Sequence, residues 1–386
     1  MTRHNAFKWT ACLLLAALSF AVFYSICASP SSDLSIHATW AAEGRFLDPL
    51  SFVRHHAHPL WHFFVNPLHR LGVELHAAAS LVTACFKVLE FLTVCWLCRI
   101  ITGSEIQEWK RTLCSLAVVL CGPVCLPWYN PTVFTGPGTP NTWHSPTQIL
   151  TLSFALVCIV LTVRSWERCR KDGADKAFTP LQWLVLAGLL ALNALAKPVF
   201  LQAFLPAAAL YFLILWIRNP EHTRYFWKLI GAYLPCVGVI LLQFVFYFLH
   251  PTDRTGMTVA FNWANIRDTF VCLALMQAFP LYVLLTSREK KRDTLTDLIL
   301  WANAAAFLEQ MFLCETGRRA ADGNFAWAFM ATSLLMWALT LPRFLRETQE
   351  NRERRLRNAA GWALAAYHIG SGVYYIIYLL QTGATM

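Results

Sequence analysis

Apolar runs long enough to cross a bilayer recur from one end of this chain to the other, separated by short charged connections. A helix needs ~20 such residues to span the ~30 Å hydrocarbon layer. In lipid each backbone amide has to be satisfied within its own helix, so repeated runs of this length predict a bundle of membrane helices. The runs fall at about 7–27, 75–99, 112–129, 148–165, 181–196, 199–217, 229–249, 268–286, 296–314, 326–341 and 359–380. The expected fold is all-α: one polytopic transmembrane domain over 1–386, with about eleven spans. Only 14% of residues are charged, against ~25% in a soluble domain. The first run is longer than the ~7–15-residue core of a secretion signal, and "SICASP" is a poor cleavage site, so it reads as a retained anchor. The thirteen cysteines lie mostly within apolar runs and read as packing residues rather than a disulfide framework.

Charge sets the expected orientation. With the N-terminus in the cytoplasm, 23 of the 32 Lys and Arg residues fall on the inner side and eight on the outer, with Lys87 inside a span. That is the bias of the positive-inside rule. The net charge of +10 thus reports topology, and no nucleic-acid partner is needed to explain it. The inner loops are short and basic. The outer ones hold most of the histidines and many of the acidic, proline and glycine residues, which points to work done on the outer face.

Four outer features stand out. The first connection, about 28–74, is the longest, and its second half, "HPLWHFFVNPLHRLG", is too short to span. It is expected to form one or two helices in the interface, with Trp61 and Phe63 toward lipid or protein. The connection opens with "SSDLSIHATWAAEGRF", where Asp33 and His37 share a helical face. Asp33 reads either as a helix cap or as a general base for an acceptor hydroxyl. In "HHAHPLWH", His55, His58 and His62 would line one face of a continuous helix, but Pro59 disfavours continuity. Metal ligation and simple interfacial histidines both stay open there, as does a single histidine set against substrate.

"TGPGTPNTWHSPTQ" concentrates prolines and glycines into fixed turns. Asn141, Trp143 and His144 would form a rigid wall, with Trp143 suited to a sugar or lipid face; the alternative is an ordered cap on the bundle mouth. The last feature is charge at the membrane edge. Lys197 in "ALAKPVF" sits between two short spans, with Pro198 starting the second. "ETGRRAADGNFAW" supplies Glu315, Arg318, Arg319 and Asp322. Lys197 either snorkels to headgroups or pairs with a phosphate; arginine forks suit a lipid-linked phosphate, while solvated loop charges are the plainer reading. Within the spans, Lys87 and Glu90 are spaced to neutralise each other, and Glu309 beside Gln310 is placed to line a cavity floor.

A long first outer loop opening with an acid, followed by interfacial helices and a many-span bundle, resembles the GT-C superfamily of membrane glycosyltransferases. "SDLSIHATWA", "HPLWHFFV", "PNTWHSPTQ", "ALAKPVF" and "ETGRRAADGNFAW" also resemble blocks of a set of uncharacterised bacterial polytopic proteins. Three positions depart from those blocks: Ser145 for Asn, Val199 for Ser and Asp322 for His. The resemblance implies an inner-membrane protein whose active face is extracytoplasmic. Its donor would be a polyprenyl-phosphate-linked sugar and its acceptor a glycan or lipid. Asp33 would be the catalytic acid of the first loop, and His58, His62, His144, Lys197, Glu315 and Arg319 would be motif positions. The resemblance specifies no cofactor, and a divalent metal stays open. The rivals are a transporter or flippase of a lipid-linked saccharide, against which the plain inner loops argue, and a non-catalytic subunit of an envelope polysaccharide assembly. Convergence of Asp33, His144, Lys197 and Arg319 in one pocket would favour the enzyme.

Overall fold

The computed structural model describes residues 3–30, 32–44, 56, 58–126, 138–248, 256–288, 293–317 and 323–383. Thirteen α-helices lie among the described residues: α1 (Arg3–Cys27), α2 (Asp33–Glu43), α3 (Pro59–Arg70), α4 (Leu75–Thr102), α5 (Glu108–Leu120), α6 (Pro146–Asp172), α7 (Pro180–Ala196), α8 (Val199–Arg218), α9 (Thr223–Phe248), α10 (Trp263–Thr286), α11 (Thr294–Phe312), α12 (Ala326–Glu350) and α13 (Arg355–Thr382). Eight of them, α1, α4, α6, α8, α9, α10, α12 and α13, are long and apolar enough to cross a membrane. The other three predicted spans fall on α5, α7 and α11, of 13, 17 and 19 residues. The first connection holds α2 and α3, two short helices where interfacial ones were expected.

Helix order within the bundle follows membrane rather than aqueous logic. α9 is among the most apolar spans, yet only 22% of its most apolar window is buried; the corresponding window of the less apolar α12 is 89% buried. Lipid is as good a solvent for Leu as a neighbouring helix is, so packing and polar contacts select what goes inside. In α12, Thr332, Ser333 and Thr340 are buried and bond back to their own helix's carbonyls. α6 is the second central helix, packed against α4 and α7.

One predicted span differs. The run 112–129 is helical only to Leu120, and Cys121–Leu126 leaves the helix. Gly122-Pro123 explains the break, because the residue before proline is pushed out of the helical region. The irregular backbone is then satisfied by its neighbours, as a low-dielectric interior demands. Gly122 N–H donates to the His368 carbonyl at 2.8 Å, and Val124 N–H to the Leu275 carbonyl at 2.8 Å. Leu275 precedes a kink in α10, where Gln277 is non-helical and Pro280 follows. Pro280 has no N–H for the Met276 carbonyl; the Trp337 indole supplies one at 2.9 Å.

A two-stranded antiparallel ribbon, unexpected from an all-α reading, pairs β1 (Gly256–Val259) with β2 (Leu313–Thr316) in the register Gly256 to Thr316. Each strand has four residues and its partner lies over fifty positions away, so no local pattern signals it.

Gly122 and Gly372 bring the broken segment and α13 into backbone contact. A Cβ at Gly372 would lie 1.8 Å from the Leu120 carbonyl oxygen. Gly372→Ala is therefore expected to cost about 1–3 kcal/mol or more, as overpacking does. Thermal unfolding in detergent, followed by size-exclusion chromatography, should show a lower midpoint than for Gly370→Ala, where a Cβ meets nothing within 4 Å. Equal midpoints would mean that this contact is not held in the folded chain.

Candidate functional site

Asp33 opens α2, but it is not the cap. Ser32 takes that role, its hydroxyl oxygen accepting from Ser35 N–H at 3.0 Å and its O–H donating to the Ile26 carbonyl at 2.8 Å. The Asp33 carboxylate is thus left for other work, with a side chain 41% exposed. It lies 3.6 Å from Nε2 of His37, one turn along.

α3 begins at Pro59, so the proline ends any continuous histidine helix and His58 is the cap residue. This arrangement suits proline, whose missing N–H costs nothing in a first turn. His62, fully buried, joins the two short helices: its Nε2 lies 3.1 Å from His37 Nδ1, and its Nδ1 lies 3.0 Å from the His58 carbonyl. Asn66 of α3 donates to the carbonyls of Ala41 and Gly44 at the end of α2. Trp61 is wholly buried against protein, its indole bonded to Thr83 of α4 at 3.1 Å. Of the proposed histidine triad, His55 lies outside the described residues, and both nitrogens of His62 are already engaged. No group of three metal-capable side chains occurs among the described residues.

The second wall comes from the break between α7 and α8. Lys197 is extended ahead of Pro198, as a pre-proline residue should be. Its carbonyl accepts from the Thr151 hydroxyl, and Asn193 donates to the Thr151 carbonyl, so α6 fixes the break. Lys197 is 7% exposed, its ammonium 3.4 Å from the Ser145 hydroxyl and 3.5 Å over the Trp327 ring. Among the described residues it makes no ion pair. Burial pushes its pKa down to about 8, with the Asp33 carboxylate opposing that shift. His144 packs beside the same indole, ring centres 5.6 Å apart. Burial drives its pKa down to about 4, against the pull of Asp33 and helped by Lys197. At neutral pH it is uncharged. Its Nδ1, Thr147 Oγ1 and Gln148 Oε1 are buried without a hydrogen-bond partner among the described residues. Buried polar atoms in a group like this need a polar occupant, water or ligand.

Asp33, His37, His144 and Lys197 are therefore drawn together from three separate stretches of chain. Asn141 and Trp143, expected to wall the same site, are placed beneath it instead, each 2% exposed. Asn141 accepts from Lys87 Nζ at 3.1 Å and donates to the carbonyls of Val118 and Cys121. Lys87 also lies 3.1 Å from both oxygens of Glu90 and 4.7 Å from the Trp143 ring. Phe23 stacks on Trp143, ring centres 5.6 Å apart. The hairpin residues 138–145 are thus a buried plug tied to an intramembrane ion pair, because that pair must be neutralised and hydrogen-bonded where water is absent. Glu315 on β2 grips Asn324 through both carboxylate oxygens, at 2.8 and 3.0 Å, and braces the approach to α12. Arg318, Arg319 and Asp322 lie outside the described residues. Trp327, the last residue of the block "ETGRRAADGNFAW", has no expected role in the sequence, yet its indole lies under the Lys197 ammonium.

The opposite end of the bundle is less plain than its sequence reads. A cleft of about 640 Å³ there is lined by Arg288, Arg346, Glu347 and Glu350. Its charges are largely matched internally: Arg357 with Glu347 at 2.6 Å, and, alongside, Arg343 with Asp293 at 2.8 Å. Between α8 and α9 an apolar groove of about 410 Å³ runs from Leu205 to Trp216. Set against family models, curated proteins and solved structures, the chain matches none.

Proposed function

We propose that the chain is a membrane glycosyltransferase of GT-C-like architecture. In this reading the bundle has eleven crossings, with α5, α7 and α11 completing the eight longer ones. It sits in an inner membrane with its N-terminus cytoplasmic, and the Asp33 site is extracytoplasmic. The reaction moves a sugar from a polyprenyl-phosphate carrier to a glycan or lipid hydroxyl. The observation that carries the reading is a half-exposed carboxylate near enough to a buried lysine to act on its charge, the lysine making no ion pair among the described residues. An exposed carboxylate can take the acceptor's proton. A buried cation offers a leaving phosphate more than it would in water, because the surrounding dielectric is low. His144, neutral at pH 7, and Trp327 would shape the sugar's side of the site. Arg318 and Arg319 are proposed as further phosphate contacts, and Asp322 and Glu315 as acceptor-side groups.

The direct test uses vesicles with and without the chain, supplied with a panel of labelled polyprenyl-phosphate sugars and an envelope-lipid extract. Label should move to acceptor only in vesicles holding the chain. Movement of intact donor from one leaflet to the other, with no transfer, would favour a flippase instead, and the charged cleft at the opposite end of the bundle gives that second reading a foothold.

A further inference from the structure

The hydrogen bonds around His62 fix where the proton on His37 sits. A backbone carbonyl can only accept, so His62 must donate to the His58 carbonyl from Nδ1. His62 is wholly buried, and burial, together with the neighbouring imidazoles of His37 and His56, holds its pKa well below the ordinary value. It is therefore neutral, and its Nε2 is an acceptor. The 3.1 Å contact from His37 Nδ1 to that atom then requires the hydrogen to be on His37 Nδ1. In the neutral ring the second nitrogen is bare, and that nitrogen, Nε2, is the one 3.6 Å from the Asp33 carboxylate.

From this we infer that Asp33 and His37 act as one proton-holding pair, with His62 and the His58 carbonyl as positioning groups that keep His37 Nε2 free to receive a proton from Asp33. The inference rests on the transferase reading for its chemistry and deepens it. The acceptor's O–H bond breaks, and the proton passes to Asp33 and on to His37 Nε2. The acceptor oxygen bonds to the sugar carbon as that carbon's bond to the phosphate oxygen breaks, and the phosphate leaves with the electron pair. Asp33 is thereby returned to its carboxylate form opposite an imidazolium. The groups facing His37 are Asp33 and Trp40 from its own helix, His62 and Trp61 from α3, His56, and the Lys197 ammonium. Burial holds the His37 pKa down and Asp33 pulls it back up, while Lys197 and His56 push it down.

The test is ¹⁵N NMR of the full chain in lipid bilayers, with ring-labelled histidine and the His37 signals identified by their loss in His37→Gln. At high pH, Nδ1 should carry the hydrogen and Nε2 none; on acidification the new proton should appear on Nε2. Asp33→Asn should move that protonation to lower pH by about 1–3 units, the usual effect of losing an adjacent opposite charge. A hydrogen on Nε2 at high pH, or an unmoved titration in Asp33→Asn, would overturn the inference. The tautomer is read without any transfer assay. An absent transferase activity with the expected spectra would fault the reaction and leave the pair; the reverse pattern would fault the pair alone.

Discussion

Asp33→Asn is expected to lower sugar transfer by about 10²–10⁴-fold, the usual contribution of a positioned acid or base, while the protein folds as before. The separation of roles at the start of α2 makes this a clean substitution. Ser32 caps the helix, so the carboxylate has no structural duty there. Its side chain is 41% exposed, and an amide of the same shape meets no new neighbour. What is lost is the proton acceptor and the charge acting on His37, His144 and Lys197. Initial rates in vesicles, set beside elution volume in detergent, distinguish loss of chemistry from loss of fold. An unchanged rate would remove Asp33 from the reaction.

Glu90→Ala is expected to be the most damaging single change to stability, at about 3–5 kcal/mol, because it strands a buried ammonium. Lys87 and Glu90 are 1% and 0% exposed in their side chains. Without the carboxylate, Lys87 keeps, among the described residues, the Asn141 oxygen and the Trp143 ring. Asn141 and Trp143 anchor the plug that leads into His144 and Ser145, so the site should loosen together with the bundle. Removing both charges, as in Lys87→Met with Glu90→Leu, should recover much of the loss, since a buried pair is often replaceable by apolar groups of similar volume. Thermal unfolding of the three proteins in one detergent checks this. A single variant as stable as the parent would show that the pair carries no such burden.

The apolar runs made the helices legible. α7 and α8 were placed to within a residue or so, since Pro180, Pro198 and the intervening Lys197 punctuate the sequence where the helices break. Pro59 likewise separated His58 from the helix carrying His62. The site was legible as residue types in the connections at one end of the helices, and Asp33 lies near enough to His144 and Lys197 to act on their charge. What could not be read was the use each side chain makes of its neighbours. Trp143 and Asn141 have the chemistry of a sugar site, yet an ion pair some fifty positions earlier claims them. Trp327 and His62 gained their positions from tertiary contacts that leave no local periodicity. The end of α5 was signalled by Gly122-Pro123, but the apolar run continuing past it masked the break.

Binding of a polyprenyl monophosphate carrying no sugar, measured by native mass spectrometry of the chain in lipid nanodiscs, tests the central claim most directly. The parent should bind it at neutral pH and lose affinity as the pH rises through about 8, where Lys197 gives up its proton. Lys197→Met should bind it about tenfold more weakly or worse, roughly 1.4 kcal/mol, at neutral pH and show no such pH dependence. Equal binding by the two proteins, unaltered across that pH range, would contradict the assignment of this site to a lipid-linked phosphate.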